Sequence, residues 1–196
     1  MKTVIIKYNA GNIRSVLFAL ERVGVSAVVT DNPDEIRAAD RVIFPGVGEA
    51  SSAMQYLKER QLDTLICSLT QPVLGICLGM QLMCAHSEEG SVPCLGIFNE
   101  TVKRFPQTEL KVPQIGWNNL TGLKSPLFDN VPENAYMYFV HSYYVGMCKN
   151  TIAATDYMLK YSSALHKDNF YAVQFHPEKS GEVGQRILSN FINFKL

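Results

Sequence analysis

The chain has 196 residues, of which 47% are hydrophobic, and its 18 basic side chains balance its 18 acidic ones. A chain of this length can bury a substantial core, so a single domain spanning 1–196 is predicted. The charge balance excludes the broad electrostatic attraction that is typical of proteins bound to nucleic acid or membrane surfaces. A small-molecule substrate or a protein partner is favoured instead.

The first half of the chain alternates predicted strands and helices. A buried strand at Val4-Ile5-Ile6 precedes a helix whose apolar residues recur at helical spacing until Gly24. The elements predicted next are a strand over 26–30, a short helix over 34–39, a strand over 41–44 and a helical stretch to about residue 69. This order predicts an open, mostly parallel α/β sheet with helices on both faces, of the flavodoxin-like kind.

The second half of the chain has a different pattern of predicted elements. From about residue 94 to 175, short β-prone runs such as 136–140 and 170–175 are separated by Pro, Gly and Asn turns, which predicts a mixed or antiparallel extension of the sheet. A closing helix carries one apolar stripe, formed by Val183, Ile187, Leu188, Phe191 and Ile192.

Cysteine usage and the N-terminus bear on location and cofactors. The five cysteines are odd in number and scattered, and they show no metal-ligand spacing with the four histidines. No metal or other cofactor is therefore expected, and a reducing cytoplasm is the predicted location. The first apolar stretch is too short for a signal peptide, and no apolar run reaches the roughly 18 residues of a membrane span.

The most informative segment is Gly75-Ile76-Cys77-Leu78-Gly79, where an apolar strand must turn sharply into a helix. Small residues two before and two after such a corner avoid steric collision. The corner is expected to push the Cys77 sulfur into solvent at a helix N-terminus, where the helix dipole favours a thiolate over a thiol. The segment predicts a nucleophile, although a core cysteine beside a tight turn is the alternative.

A nucleophilic cysteine needs a base and a group that orients the base. His176 and Glu178 are two residues apart at the end of a β-like run. In extended geometry their side chains point the same way, with Cα atoms about 7 Å apart. An ordinary strand-end histidine beside a surface acid is the alternative, but the cysteine corner upstream makes a catalytic pair the favoured interpretation.

Acyl transfer also needs N–H donors for the oxyanion of a tetrahedral intermediate. The N–H of Leu78, at the start of the helix after the cysteine, is one candidate. The turn Pro45-Gly46-Val47-Gly48 supplies the other, because its glycines let the backbone approach a substrate closely. We predict that the Val47 N–H is the second donor.

Together, the Pro45–Gly48 turn, the Gly75–Gln81 segment and His176-Pro177-Glu178 resemble the triad-type (class I) glutamine amidotransferases in order and spacing. The resemblance implies that Cys77 attacks the carboxamide of glutamine, that His176 shuttles protons and that Glu178 orients His176. It also implies that Val47 and Leu78 hold the oxyanion. The residues that match positions around the glutamine pocket are Gly46, Gly48, Gln81, Ser142 and Tyr143.

Within that family, further segments resemble the glutaminase subunits that pass ammonia to a (β/α)₈-barrel cyclase, which closes an imidazole ring in histidine biosynthesis. These segments are Tyr8, 11–16, 44–48, 115–118 and 138–143. The resemblance implies a heterodimer with such a cyclase. The residues that match positions near the partner face are Asn12, Trp117, Asn118, Tyr138 and Lys179.

Two departures from this subgroup concern the partner face. Lys7 stands where an acidic residue usually precedes the tyrosine, and Gln114 stands where a histidine is common. Neither position belongs to the triad. They leave the fine detail of the interface open, and they leave the hydrolysis unaffected.

Three other functions remain open at this point. A glutaminase subunit for anthranilate, guanylate or carbamoyl phosphate synthesis would share the cysteine corner and His-Pro-Glu, but would lack Gly116-Trp117-Asn118. A catalytically silent regulatory subunit is disfavoured by the intact Cys77, His176 and Glu178. A hydrolase of esters or peptides is allowed by the corner alone, but the chain has no insertion for a peptide cleft.

Overall fold

The computed structural model describes residues 1–9 and 11–194. The strands in this part of the chain are β1 (Thr3–Ile6), β2 (Ala27–Thr30), β3 (Arg41–Gly46), β4 (Val73–Cys77), β5 (His86–Ser87), β6 (Val92–Pro93), β7 (Thr101–Arg104), β8 (Gln114–Asn119), β9 (Tyr136–His141), β10 (Tyr143–Gly146), β11 (Thr151–Tyr157), β12 (Leu159–Lys167) and β13 (Phe170–Val173). The α-helices are α1 (Ile13–Arg22), α2 (Pro33–Arg37), α3 (Ala50–Glu59), α4 (Leu62–Cys67), α5 (Leu78–Leu82) and α6 (Gly181–Ile192).

A mixed sheet of eleven strands has the order β2-β1-β3-β4-β13-β12-β10-β7-β5-β6, and β11 pairs with β12. The strands from β2 to β13 in this order pair in parallel. The prediction of an open α/β sheet with a parallel half is confirmed. Because the carboxyl ends of β3, β4 and β13 lie side by side, the turns that follow these three strands meet at one edge.

The sheet carries a separate core on each face, as alternating strand side chains require. Val4 and Ile6 of β1 face a core shared with α2, α3 and α4, whereas Ile5 faces a core shared with α1 and α6. The apolar stripe predicted for α6 is confirmed at Ile187, Leu188, Phe191 and Ile192, which are buried. Val183 lies at the edge of this core and is only partly buried.

The antiparallel extension is confirmed in the second half of the chain. Strands β10, β11 and β13 each pair antiparallel with β12, and β10 also pairs antiparallel with β7. Separately, β8 and β9 form a two-stranded antiparallel sheet in which Trp117 pairs with Tyr138 and Gln114 with His141. This two-stranded sheet ends beside the carboxyl ends of the parallel strands, because the His176 N–H donates to Tyr138 O at 2.9 Å.

Several predicted boundaries differ from the structure; the strand predicted over 41–44, for instance, continues to Gly46. The helix expected over 34–39 is Pro33–Arg37, because the Asn32 side chain accepts from the N–H groups of Asp34 and Glu35 and caps the helix one residue earlier. The single helical stretch to residue 69 is two helices, interrupted at Gln61, whose φ of 56° is left-handed. The strand predicted over 170–175 ends at Val173.

Strand β2 is less buried than its parallel neighbours β1, β3 and β4. It is an edge strand, in which Val28 is exposed, Ala27 and Val29 are partly buried and only Thr30 is buried. Edge strands have no neighbour to cover one side, so partial exposure follows from the position. In the described part of the chain, no helix has both the length and the apolar character needed to cross a membrane.

Candidate active site

The corner after β4 has the geometry that the glycine spacing predicted. Cys77 has φ 53° and ψ −107°, a strained conformation for a residue with a side chain. A Cβ on Gly79 would lie 1.9 Å from the carbonyl oxygen of Phe44, and one on Gly75 would lie 3.0 Å from the backbone of Gly79. The two glycines therefore let β4 turn into α5 directly against β3.

The expectation that the Cys77 sulfur would be pushed into solvent is wrong. The residue is 6% exposed, because the neighbouring strand ends cover it. Its Sγ lies 3.8 Å from the carbonyl oxygen of Val140 and 3.7 Å from Nε2 of Gln174. Cys77 nevertheless lines a cavity of about 290 Å³, so the buried residue still borders a space that a ligand can enter.

His176 and Glu178 meet, but not through the predicted extended geometry. His176 is extended, and residues Pro177–Lys179 form a turn of 3₁₀-helix that brings the carboxylate back to the imidazole. The distance from Nδ1 of His176 to Oε1 of Glu178 is 2.7 Å. The Ser180 hydroxyl fixes this turn by donating to the carbonyl oxygen of His176 at 2.6 Å.

The pKa of His176 is set by opposing effects of burial and of its neighbours. Burial alone lowers the pKa of His176, but its interactions with Cys77 and then with Glu178 outweigh this effect and raise the pKa to about 10. These interactions favour the imidazolium form of His176, which lines the same cavity as Cys77. Glu178 Oε2 is buried and has no hydrogen-bond partner among the described residues.

Asn12 is the residue that the structure moves from the predicted partner face into the site. Its Nδ2 donates to Oε1 of Glu178, the same oxygen that binds His176, and lies 3.5 Å from Nδ1 of His176. Asn12 is in the left-handed region, with φ 75°, immediately before α1. The Gly-Asn-Ile motif marked this position in the sequence, but nothing local indicated that its amide reaches a carboxylate 166 residues away.

The two predicted oxyanion donors lie on neighbouring strand ends. In the parallel pairing of β3 with β4, Gly46 is opposite Cys77, so the next residues, Val47 and Leu78, leave the sheet side by side. Leu78 is the first residue of α5, where an N–H has no intrahelical acceptor. Both residues line the cavity, as does Gly48, whose φ of 123° is a conformation that glycine tolerates.

The cavity brings together most of the residues predicted for the glutamine pocket. Gly48, Gln81, Ser142 and Tyr143 line it, whereas Gly46 lies behind the turn, where a Cβ would be 2.0 Å from the Tyr8 hydroxyl oxygen. Gln81 is 5% exposed rather than solvated. Its Nε2 donates to the carbonyl oxygen of Tyr143 at 3.1 Å and to Oε1 of Gln174 at 3.0 Å.

Sequence reasoning missed several residues at the site. Gln174 is fully buried and links Gln81 to the Cys77 sulfur, and its place two residues before His176 was an available signal. Glu89 lines the cavity from a turn between β5 and β6, and the Ser-Glu-Glu-Gly segment has no feature that distinguishes it from an ordinary turn. Pro113, Val140 and His141 complete the missed lining residues.

His141 is a second histidine in the cavity lining, and its pKa is shifted in the opposite direction from that of His176. Its Nδ1 is 2.7 Å from the carbonyl oxygen of Tyr143, so Nδ1 carries the proton, and its Nε2 is 3.2 Å from the Tyr161 hydroxyl. Burial lowers the pKa of His141 to about 4. This imidazole is therefore neutral throughout the physiological range and holds the Tyr143 carbonyl that also binds Gln81.

The remaining residues predicted for a partner face lie around the two-stranded sheet. Trp117 is 55% exposed and packs edge-on against Tyr138, with ring centroids 5.9 Å apart. Lys179 lies over the Tyr138 ring at 5.9 Å and also lines the cavity. Asn118 instead uses its amide within the chain, donating to the carbonyl oxygen of Asp156 at 2.9 Å.

Comparisons with known proteins bear on this geometry. A sequence model of the family described as glutamine amidotransferase class-I matches residues 4–194. A relative from Bacteroides fragilis named imidazole glycerol phosphate synthase subunit HisH is 61% identical over 194 residues, covering 98% of this chain and 99% of the relative. A relative of the same name from Haemophilus influenzae is 48% identical over 189 residues, covering 96% and 95%.

Solved structures show the same fold at low sequence identity. A putative GMP synthase subunit from Thermoplasma acidophilum superposes with a TM-score of 0.76 at 20% identity, covering 98% of this chain and 92% of that chain. PurLQS from Thermotoga maritima gives a TM-score of 0.74 at 15% identity, covering 98% and 97%. The match of the family model along almost the whole chain shows that this protein belongs to the class I glutamine amidotransferase family.

Proposed function

We propose that the chain is the glutaminase subunit of an imidazole glycerol phosphate synthase, which hydrolyses glutamine to glutamate and passes the ammonia to a cyclase subunit. The observation that carries the proposal is the meeting of Cys77, in a strained corner, with the His176–Glu178 pair at one cavity. The names of relatives up to 61% identical over almost the whole chain support the choice of synthase.

The proposed chemistry is acyl transfer through sulfur. The Cys77 thiolate attacks the carboxamide carbon of glutamine, and His176 donates a proton to the departing nitrogen, which leaves as ammonia. Water then attacks the thioester carbon and gives one proton to His176, the C–S bond breaks to restore the Cys77 thiolate, and the new carboxylic acid loses its proton to solvent and leaves as glutamate. Glu178 stabilises the imidazolium and holds its orientation through the 2.7 Å contact, while the N–H groups of Val47 and Leu78 bind the oxyanion.

The cavity lining supports glutamine as the substrate. Glutamine carries an α-ammonium group, and among the described residues Glu89 supplies the one carboxylate in the lining. We assign Glu89 to that ammonium group. Gly48, Gln81, Ser142 and Tyr143 form the surrounding wall, and Gly46 shapes the turn from behind.

A partner subunit is proposed to cover the mouth of this cavity. Ile115, Trp117 and Tyr136 are 63%, 55% and 61% exposed on the two-stranded sheet that borders the site. Large exposed apolar side chains of this kind are typical of a protein interface. Trp117, Tyr138 and Lys179 are the residues we assign to it, and the proposed partner is a (β/α)₈-barrel cyclase that receives ammonia before it is protonated in water.

We place the whole chain, 1–196, in the reducing cytoplasm as one glutaminase domain. All five cysteines lie in the described part of the chain and are free thiols. The two cores pack on opposite faces of one sheet. Both observations support this placement.

The test is glutamine turnover to glutamate by the full chain, alone and with the cyclase partner and its ribonucleotide ligand. We expect low basal turnover that rises strongly with the liganded partner. Cys77→Ser should lower turnover at least ~10³-fold, because loss of a nucleophile removes most of the rate enhancement.

Cys67→Ser is the matched control, because Cys67 is exposed and lies outside the cavity. It should retain wild-type turnover. Undiminished turnover in Cys77→Ser would remove the nucleophile assignment. Full activity of the chain without a partner would contradict the coupled reaction.

A further inference from the structure

Glu89 has a second contact that the proposed chemistry does not use. Its Oε2 accepts the backbone N–H of Ala50 at 2.9 Å. Ala50 is fully buried and is the first residue of α3, so this N–H has no acceptor within the helix. One carboxylate thus lines the cavity and caps the start of a helix.

The turn that carries Glu89 is built onto the same helix end. The Glu89 N–H donates to Oγ of the fully buried Ser87 at 3.1 Å, which holds the turn to β5. Gly90 has φ 71°, and a Cβ there would lie 2.7 Å from Cβ of Ser51 and 2.8 Å from Oε1 of Glu49. The turn therefore packs against the first residues of α3 with no room for a larger side chain.

The start of α3 is directly connected to the oxyanion turn. Between Gly46, the last residue of β3, and Ala50 there are only Val47, Gly48 and Glu49. Gly48 has φ 123°, so this link includes a residue with wide backbone freedom. Only Gly48 and Glu49 separate Ala50 from the proposed Val47 donor, so the positions of Ala50 and Val47 are joined by a short link.

We propose that Glu89 is a positioning residue that ties the start of α3, and with it the oxyanion turn, to the α-ammonium end of the bound glutamine. One carboxylate oxygen holds the Ala50 N–H, and the same side chain lines the cavity that we assign to glutamine. This inference rests on the proposed glutaminase function, and it adds a physical link between recognition of the amino-acid end of the substrate and placement of the oxyanion donor.

The closing experiment separates the two contacts of the carboxylate. Ala50→Pro removes the N–H donor and leaves Glu89 unchanged. Proline is favoured at the first position of a helix, and the preceding residue, Glu49, already has the extended dihedrals of φ −109° and ψ 137° that proline requires. Ala50→Val is the matched control, because it adds the same number of carbons in the buried position and retains the N–H.

The measurements are kcat and KM of the full chain with its liganded partner, on glutamine and on glutaramate, which lacks the α-amino group. We expect Ala50→Pro to lower kcat about tenfold on both substrates, with KM within about twofold. Glu89→Gln retains an acceptor for Ala50 but loses the charge, so it should raise KM for glutamine about tenfold and leave KM for glutaramate near the wild-type value.

A third variant keeps the test valid if Ala50→Pro fails to fold, which circular dichroism melting would reveal. Glu89→Ala removes the acceptor as well as the charge, so its kcat on glutaramate should lie about tenfold below that of Glu89→Gln. Equal kcat values for the two Glu89 variants, or for folded Ala50→Pro and Ala50→Val, would overturn the link. Failure of the glutaminase function itself would show separately, as absent turnover in the wild-type chain.

Discussion

Two neighbouring strands, β4 and β13, end in corners of the candidate active site that are built in different ways. The corner after β4 is formed by close packing: Gly75 and Gly79 let the backbone pass Phe44, and Cys77 takes the strained dihedrals that result. The corner after β13 is formed by hydrogen bonds that reach His176 and Glu178 from distant parts of the chain.

The difference explains why one corner can be recognised locally and the other cannot. The glycines two residues before and after the first corner are visible in the sequence, and the steric collision that they avoid involves residues close to the corner. The His176–Glu178 corner depends on Tyr138 and Asn12, which come from separate elements. Substitutions at the first corner should therefore act mainly on stability, through packing. Substitutions at the second corner should act mainly on activity, through lost hydrogen bonds.

The largest effect is expected at the packed corner. Gly79→Ala would place a methyl group 1.9 Å from the Phe44 carbonyl oxygen, which is backbone and cannot rotate away. We expect the free energy of unfolding to fall by about 3 kcal/mol, at the upper end for overpacked sites, together with loss of turnover. Chemical denaturation measures the change.

Gly146→Ala is the control for that substitution. Gly146 lies in β10, and a Cβ there meets nothing within 4 Å. Alanine in such a position should leave stability unchanged or raise it by up to ~1 kcal/mol. A Gly79→Ala protein as stable as Gly146→Ala would show that the corner is not held by packing.

The second prediction concerns His141, which shares the cavity with His176 but lacks a carboxylate partner. Burial lowers the pKa of His141 to about 4. On acidification, His141 is therefore protonated in the unfolded chain at a higher pH than in the folded chain. This group should lower the free energy of unfolding as the pH falls from about 6.5 to about 4, by roughly 2 kcal/mol over most of that range.

The comparison is with His141→Asn, whose amide can donate to the Tyr143 carbonyl in place of Nδ1 and does not titrate. Denaturation of both proteins at pH 6.5 and pH 4.5 isolates the histidine from the carboxyl groups, which titrate in both. The wild type should lose more stability than the variant between the two pH values. An equal loss would mean that His141 is not held neutral by burial.

The smallest effect is expected at the hydrogen-bonded corner. Asn12→Gly removes the amide that donates to Glu178 Oε1 and keeps a residue that tolerates φ 75°. We expect kcat to fall roughly tenfold, within the range for a hydrogen bond to a charged group. With Asn12 absent, the carboxylate binds only His176, so the pKa of His176 should rise and the basic limb of the kcat–pH profile should move upwards.

Asn130→Gly is the control for Asn12→Gly. Asn130 is also left-handed, with φ 58°, but it lines a different cavity together with Pro72 and Asn169. Its kcat and pH profile should match those of the wild type. A normal pH profile in Asn12→Gly would show that the Asn12 amide does not influence the His176–Glu178 pair.

Much of the fold followed from local patterns. The parallel half, the antiparallel extension and the apolar stripe of α6 are confirmed, because hydrophobic periodicity reports which face of an element is buried. The interruption at Gln61 was missed, because a left-handed φ at a glutamine leaves no mark in the apolar pattern. The enclosure of Cys77 was missed because the strand ends that cover it come from other parts of the sheet.

The sequence by itself determined the strained cysteine corner, the glycine turn and the alternation that forms a parallel sheet, since each depends on steric limits between near neighbours. Only the tertiary structure decided that Asn12 shares an oxygen of Glu178, that Gln174 links Gln81 to the sulfur and that Glu89 caps α3. These contacts join residues from 39 to 166 positions apart. Such pairs meet because the strand order places the ends of β3, β4 and β13 together, and no local pattern encodes that order.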